Sequence, residues 1–412
     1  MTDCLVYLDH AATAPVRPEV VAAYAEALGR TGNASSLHSA GREARRTVEE
    51  AREKVGALLG ARPSEVVFTS GGTEADNLAI KGVFWARRRL DPQVRRIAVS
   101  SIEHHAVLDP AFWMASHAGA EISQLPVDAE ARLDLDALRA ELDEHAARTA
   151  LVSVMWANNE VGTIEPLAEV VSLAHRHGVP VHSDAVQAVG ALDVDFSASR
   201  LDAMTVTGHK LGGPVGVGAL VARRDLGIVP VSHGGGQERG IRSGTLDVAG
   251  AHAFALALEL AVQEREAVST RVAALRDDLI ARVLATIPGA HLRGPDPVAA
   301  PRQRLPGNAH LTFEGCEGDS LLFLLDSVGV CASTGSACQA GVPQPSHVLV
   351  AMGVDEVQAR GALRFSLGPA STAADVDRLV AVLPEVVERA RRAGLSSGPV
   401  TQERPARRRE AS

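Results

Sequence analysis

Short apolar runs rich in β-branched residues alternate along the first half of the chain with amphipathic stretches at helical spacing. The short runs predict strands at residues 65–70, 96–101, 150–157, 180–183, 203–207 and 216–222. The amphipathic stretches predict helices at 73–84 and 164–177, the second with Pro166 in its first turn and Gly178 at its end. This alternation is typical of an α/β domain with a largely parallel sheet and right-handed crossovers.

The second half of the chain follows a different pattern. Residues 248–287 predict one or two long helices that bridge to a smaller α+β unit. In that unit the pattern predicts strands at 309–313, 330–333 and 362–366, and helices at 319–328 and 373–392. We therefore predict an N-terminal segment packing with the small domain (1–14), a large domain (15–260), a small C-terminal domain (261–392) and a disordered tail (393–412).

Composition narrows the class of protein. The net charge of −9 argues against a general nucleic-acid binder, and no apolar run is long enough to span a membrane. The first residues lack the pattern of a secretory signal peptide. The four cysteines, Cys4, Cys316, Cys331 and Cys338, form no Cys-x-x-Cys pair and have no zinc-ligand spacing. We therefore expect a reduced, cytoplasmic protein.

Lysine is scarce, and one lysine stands in an unusual context. Only Lys54, Lys81 and Lys210 occur, although lysine and arginine together number 41. Lys54 lies in a charged helical run and Lys81 follows an apolar run, so both are typical of helix surfaces. Lys210 lies where a predicted strand enters a glycine-rich turn, and unlike arginine it can lose its proton and attack a carbonyl.

Three polar groups follow predicted strands and have two interpretations each. Gly72 and Thr73 begin a helix, where they form either a phosphate cradle or a plain turn capped by Thr73. Asp184 ends a strand, as a ligand group or as a helix cap. His104 follows a strand, as a ring that stacks on a planar cofactor or as a buried histidine bonded to backbone.

Two further residues lie in the predicted small domain. Cys338 follows a strand within small residues and precedes a Gly- and Pro-containing stretch, which favours an exposed nucleophile over a core residue. Arg364 interrupts an apolar strand, so we expect an anionic partner. That partner is either a substrate carboxylate or the carboxylate of a structural salt bridge.

Read together, these segments resemble the pyridoxal 5'-phosphate (PLP) dependent cysteine desulfurases of the NifS/IscS type. The matching stretches occur in family order at residues 7–13, 32–38, 68–77, 103–108, 157–163, 182–187, 208–210, 234–239, 242–245, 333–338 and 363–368. The resemblance implies PLP fold-type I, with a mostly parallel seven-stranded sheet in a large PLP-binding domain. The smaller α+β domain would carry the cysteine loop, and the enzyme would be a homodimer.

The resemblance also implies a role for each site residue. Lys210 would bond covalently to the cofactor, Asp184 would hold the pyridine nitrogen, and His104 would stack on the ring. The other cofactor contacts would be Gln187 and Asn158 near the phenolic oxygen, Gly72, Thr73, Thr207 and His209 at the phosphate, and Thr245 from the partner subunit. Arg364, Asn33 and Asn158 would bind the substrate carboxylate, and Cys338 would accept sulfur as a persulfide.

The implied reaction converts L-cysteine to L-alanine and passes sulfur to an acceptor protein, such as an iron–sulfur scaffold or a tRNA-thiolating enzyme. The long stretch from Cys338 to Arg364 fits the NifS/IscS group, although Gln339 replaces a usual small hydroxyl residue. Two alternatives remain open on the same scaffold. One is a selenocysteine lyase, and the other is a catalytically idle scaffold protein, which the presence of both Lys210 and Cys338 disfavours.

Overall fold

A seven-stranded sheet dominates the protein. The structure is a computed structural model that describes residues 5–335 and 345–396 of the 412-residue chain. Its strands are Val6–Tyr7 (β1), Val66–Thr69 (β2), Arg96–Ser100 (β3), Glu121–Leu125 (β4), Thr149–Ser153 (β5), Val181–Asp184 (β6), Ala203–Thr207 (β7), Gly218–Ala222 (β8), Ala290–Leu292 (β9), Asn308–Phe313 (β10), Val330–Cys331 (β11) and Ala362–Ser366 (β12).

The large sheet has the strand order β2-β8-β7-β6-β5-β3-β4. All neighbours are parallel except at β8, which is antiparallel to both β2 and β7. Strand β8 returns from β7 through the loop 208–217 without a crossover helix, and such a connection allows the pair to be antiparallel. The mostly parallel seven-stranded sheet that the resemblance implies is confirmed, and so is the fold class.

The helices cover the sheet and build the second unit. They are Pro18–Leu28 (α1), Ser39–Leu58 (α2), Gly72–Asn77 (α3), Val83–Leu90 (α4), His105–Ala118 (α5), Leu135–His145 (α6), Leu167–Arg176 (α7), Phe196–Ser199 (α8), Val248–Thr286 (α9), Gly318–Asp326 (α10), His347–Ala351 (α11), Glu356–Arg360 (α12) and Ala373–Ser396 (α13). A π-helical turn, Leu78–Gly82, joins α3 to α4.

Helix α9 links the two hydrophobic cores. Its first turns, through Ala261, pack with the large sheet and helices α1 and α2, whereas buried positions from Val272 to Val283 pack with the smaller unit. The antiparallel sheet β12-β10-β9 and helices α10 and α13 form that smaller unit. A single helix of 39 residues thus spans the region where the sequence predicts one or two.

The N-terminal strand packs with the smaller unit, where it forms a separate two-stranded sheet. Strand β1 pairs in parallel with β11, with Val6 opposite Val330. The backbone N–H of His10 then donates to the Ser366 carbonyl at 3.2 Å. The chain next turns toward Lys210. The four-segment division of the chain remains a prediction, and the predicted tail lies outside the described residues, apart from the end of α13.

No helix in the described part of the chain is long and apolar enough to cross a membrane.

Candidate active site

A cavity of about 360 Å³ opens at the carboxyl edge of the large sheet. Parallel strands end at one edge, so the residues that follow β3, β5, β6 and β7 meet there. The predicted site residues that line it are Gly72, Thr73, His104, Asp184, Gln187, Thr207, His209, Lys210 and Arg364. Nine predicted residues from five separate stretches of the sequence therefore share one cavity.

The Lys210 amine lies among backbone carbonyls. Its Nζ donates to the Ala11 oxygen at 2.5 Å and to the Ala12 oxygen at 2.6 Å. Burial lowers the pKa of Lys210 to about 8, and the Arg364 guanidinium acts in the same direction. A substantial fraction of this amine is uncharged near neutral pH, so it can act as a nucleophile or a base.

Asp184 is buried at the end of β6. Its Oδ1 accepts the Val186 N–H at 2.8 Å. Burial raises the pKa of this carboxyl, while the Val186 N–H and the Lys210 ammonium oppose that rise. A cationic ring nitrogen would stabilise the charged form of such a carboxylate.

The His104 ring caps helix α5 and faces the cavity. Its Nδ1 accepts the Ala106 N–H at 3.1 Å, which places the proton of the neutral ring on Nε2. Burial lowers the pKa of His104 to about 4, and Lys210 adds to that effect. A neutral, partly buried ring of this kind can stack on a planar ligand and exchange protons.

The start of α3 forms an anion cradle. Gly71, which precedes the helix, has φ = 144° and ψ = −176°, a conformation that favours glycine. A Cβ at Gly72 would lie only 3.1 Å from the Val186 side chain. Glycine at this position therefore avoids crowding and leaves the backbone N–H groups open to a ligand. The first-turn N–H groups of α3 and the Thr73 and Thr207 side chains share the cavity.

These residues fit PLP. The cavity holds an amine for its aldehyde, a carboxylate for its ring nitrogen, an imidazole for its ring face and a helix start for its phosphate. Burial lowers the pKa of His209 to about 4, so this ring is neutral and its Nδ1 lies 3.3 Å from the Thr13 hydroxyl. The Gln187 amide donates to the Ala11 carbonyl at 3.0 Å. Of the predicted cofactor contacts, all line this cavity except Asn158 and Thr245.

Arg364 forms a salt bridge and also lines the cavity. Its Nη2 donates to Asp9 at 2.9 Å, which is the salt bridge that the sequence allows, and its Nη1 donates to the Asn159 carbonyl at 3.0 Å. Its Nε is buried without a hydrogen-bond partner among the described residues. The same side chain lines the cavity, and each of its Nη groups has a second N–H that can donate to a carboxylate ligand.

Three predicted residues lie elsewhere within one chain. The Asn158 amide is used internally: Nδ2 donates to the Ile102 carbonyl at 3.0 Å, and Oδ1 accepts the Glu160 and Val161 N–H groups. Asn33 is exposed, and its Oδ1 accepts the Ser35 N–H. Thr245 lines a separate hollow beside Arg242. The roles of these three residues remain predictions.

The structure adds residues that the sequence analysis missed. Asn159, the neighbour of Asn158, lines the cavity, and so does Asp76 on α3. Asp76 lies one turn after Gly72, and this i,i+4 spacing places both on one helix face, a signal that was available in the sequence. Cys338 lies outside the described residues. Ser333 and Gly335, which precede it closely in the chain, also line the cavity.

Comparison with known proteins agrees with this geometry. The aminotransferase class-V family model matches residues 6–379. An IscS-like cysteine desulfurase from Mycobacterium tuberculosis is 58% identical over 393 residues, which cover 95% of this chain and 99% of the relative. The chain belongs to the cysteine desulfurases of the class-V aminotransferase family.

Further members of this family are similar over nearly the full length. The cysteine desulfurase IscS of Methanosarcina thermophila is 43% identical, over 94% of this chain and 93% of its own length. A solved NifS-like protein superposes with a TM-score of 0.85 at 35% identity, covering 94% of this chain and all of its own. The protein SspA, solved in complex with cysteine, has a TM-score of 0.75 at 30% identity, covering 89% and 99%.

Proposed function

We propose that this chain is a PLP-dependent cysteine desulfurase that converts L-cysteine to L-alanine and takes the sulfur onto Cys338. One observation carries the proposal: a single cavity is lined by the Lys210 amine, the Asp184 carboxyl, the His104 ring and the Arg364 guanidinium. The residues that bind a pyridine aldehyde and those that bind an amino acid therefore face the same space.

PLP bound in this cavity would supply a ring that withdraws electrons from the substrate α-carbon. Asp184 would keep a proton on the ring nitrogen through a charge-assisted hydrogen bond, on the order of 1.5–3 kcal/mol. His104 would cover one face of the ring. The phosphate would meet the α3 N–H groups together with Thr73, Thr207 and His209.

Lys210 has two tasks in this scheme. Its amine would hold PLP through the cofactor aldehyde. The same amine, when free and uncharged, would take the proton from the substrate α-carbon. The lowered pKa of Lys210, about 8, supports both tasks because each requires the uncharged amine.

The substrate is oriented at its carboxylate. The Arg364 guanidinium lines the cavity and provides a charge-assisted hydrogen bond through a second N–H of an Nη group, and Asn159 lines the same cavity. Asp9 fixes the guanidinium from the other side and thereby limits its motion. We infer that this arrangement sets the direction of the substrate side chain.

The sulfur step uses Cys338. Its thiolate attacks the substrate sulfur, and an S–S bond forms while the Cβ–S bond breaks. The electron pair of the broken bond stays on the β-carbon, which then takes a proton and becomes the methyl group of alanine. Neutral His104 is the proton carrier in this scheme. An acceptor protein, such as an iron–sulfur scaffold or a tRNA-thiolating enzyme, then removes the sulfur from the Cys338 persulfide.

Two broader features belong to the same proposal. We infer a homodimer in which Thr245 reaches the phosphate of the partner subunit, since within one chain Thr245 lies outside the cavity. The cytoplasm is the proposed compartment, because the Cys338 thiol must stay reduced to attack the substrate sulfur and cytosolic thiols are kept reduced.

The deciding experiment measures alanine formation from L-cysteine with reductant present, for the wild type and for Cys338→Ala. The wild type should form alanine, and Cys338→Ala should bind PLP normally yet turn over at least about 100-fold more slowly, because it lacks the attacking sulfur. Near-normal turnover by Cys338→Ala would refute the persulfide role. Turnover of selenocysteine without cysteine turnover would point to a selenocysteine lyase.

A further inference from the structure

A chain of buried polar groups runs under the floor of the cavity. The Ser153 hydroxyl lies 2.9 Å from His182 Nδ1, and His182 Nε2 lies 3.0 Å from the Thr205 hydroxyl. The Asp76 carboxyl comes next, because its Oδ1 lies 3.6 Å from His182 Nε2 and its interaction with the Thr205 side chain lowers its pKa. All four side chains are buried, and the chain joins β5, β6 and β7 to helix α3.

The hydrogen bonds along this series of polar groups can be assigned donors and acceptors consistently. Burial lowers the pKa of His182 to about 3, so the ring is neutral and carries one proton. We assign that proton to Nε2, which faces the Thr205 oxygen and lies 3.6 Å from Asp76 Oδ1. The Ser153 hydroxyl then donates to Nδ1, and the Thr205 hydroxyl donates to Asp76.

Asp76 is the last group of this polar series, and one of its two carboxyl oxygens has no hydrogen-bond partner among the described residues. Its Oδ1 is buried and has no hydrogen-bond partner within the described segments, and the side chain is 1% exposed. No lysine or arginine of those segments forms an ion pair with it, and its nearest histidine is neutral. Burial and the nearby Asp184 carboxylate raise the pKa of Asp76 well above its usual value, and this favours the neutral acid.

The position of Asp76 connects the two ends of the cofactor seat. It lies on α3, one turn after Gly72 of the anion cradle. It is tied to Thr205, which lies opposite Asp184 in the register of β6 and β7. Asp76 therefore links α3, whose first turn would meet the phosphate, to the strand pair β6–β7. That strand pair presents Asp184 to the ring nitrogen.

We propose that Asp76 is a positioning residue, a neutral acid that holds the phosphate cradle in register with Asp184 and leaves Asp184 the sole negative charge beneath the ring. This proposal rests on the proposed function, because it takes PLP as the ligand of the cavity. A charged Asp76 would compete with Asp184 for the cationic ring nitrogen, whereas a neutral acid fixes the geometry without adding charge.

The test compares Asp76→Asn with Asp76→Ala in PLP binding to the apoprotein, followed through the visible absorbance of the bound cofactor. Asparagine keeps the shape, the hydrogen bonding and the neutrality, so Asp76→Asn should keep the PLP Kd within about threefold of wild type. Asp76→Ala should weaken PLP by about tenfold or more, the equivalent of one lost buried hydrogen bond. It should also shift the pH at which the bound-cofactor spectrum changes.

Two controls separate positioning from general stability. Thr205→Val cuts the same chain at its neighbour and should weaken PLP even if Asp76→Ala does not fold. Asp202→Ala removes another buried aspartate, which accepts the Val181 N–H at the opposite end of β6. It should lower the melting temperature and leave the PLP Kd and the cofactor spectrum unchanged.

Either of two results would overturn the proposal: Asp76→Asn as weak as Asp76→Ala, or folded Asp76→Ala and Thr205→Val with wild-type PLP affinity. Cofactor affinity is read without turnover. A protein that binds PLP with this pattern but makes no alanine would therefore overturn the desulfurase proposal and leave the role of Asp76 standing.

Discussion

At the scale of the residue, a scarce residue type in an unusual context could be assigned to the site from sequence alone. The direction in which a side chain points could not be predicted. Lys210 stands out because its type and its glycine-rich turn are both unusual, and the structure places it in the cavity. Asn158 and Asn159 are identical in type and adjacent, so sequence alone could not tell which one faces the cavity. The backbone decides, since the Asn158 amide bonds to the turn that follows it.

Arg364 poses the sharpest question at this scale, because it serves both a salt bridge and the cavity. We expect Arg364→Ala to raise KM for cysteine by roughly 10- to 100-fold, the loss of one charge-assisted hydrogen bond of about 1.5–3 kcal/mol. PLP affinity should change much less. Steady-state kinetics and PLP titration measure the two quantities.

Asp9→Asn is the matched control, because it weakens the same salt bridge from its other partner. If Arg364 acts on the substrate, Asp9→Asn should change KM by less than about threefold, because the asparagine oxygen can still accept the Arg364 Nη2–H and hold the guanidinium in place. Equal effects of the two substitutions would instead assign Arg364 to structure alone.

At the scale of the element, the buried strands were predictable from their continuous apolar runs, and the weakly patterned elements were not. Strands β7 and β12 have the predicted bounds, and β2 and β6 agree within about two residues. The edge strand β4, Glu121–Leu125, was missed because most of it is only half-buried, so its apolar residues follow no strong pattern. Helix α5 was missed as well, since Pro110 within it removes a backbone donor.

Helix α9 connects the two hydrophobic cores, because its two ends pack in different cores. Its middle, residues 262–271, has no fully buried side chain. Glu266 is exposed there. Glu266→Pro should break the helix at a cost of about 3 kcal/mol or more. We expect calorimetry to show the smaller core unfolding in a separate, earlier transition.

Glu266→Ala is the control for loss of the side chain alone and should unfold like the wild type. If Glu266→Pro unfolds in one transition at the wild-type midpoint, α9 does not couple the two cores.

At the scale of the whole molecule, the order of motifs along the chain was more informative than any single motif. Each local signal has an ordinary structural explanation, such as a helix cap or a buried histidine. The fold removes that ambiguity by bringing nine of the predicted residues to one cavity. What a single chain cannot supply is any contribution from a second copy, and Thr245 is the residue that raises this question.

Hybrid dimers test that contribution. Thr245→Val should weaken PLP by roughly 10-fold or more through loss of a hydrogen bond to the charged phosphate. A dimer of one Lys210→Ala chain and one Thr245→Val chain, separated by two affinity tags, holds one site with an intact Lys210. If Thr245 acts across the interface, the Lys210→Ala chain supplies an intact Thr245 to that site. Its PLP affinity should then match the wild type, with about half the wild-type turnover per dimer.

The two homodimers serve as references, because the Thr245→Val homodimer has the weakened site and the Lys210→Ala homodimer has no reactive lysine. If Thr245 acts within its own chain, the lysine-bearing site of the hybrid keeps the mutated residue, and its affinity equals that of the Thr245→Val homodimer. The hybrid therefore gives opposite results for the two arrangements. Since each arrangement uses the same two chains, differences in folding between the variants cannot produce the pattern.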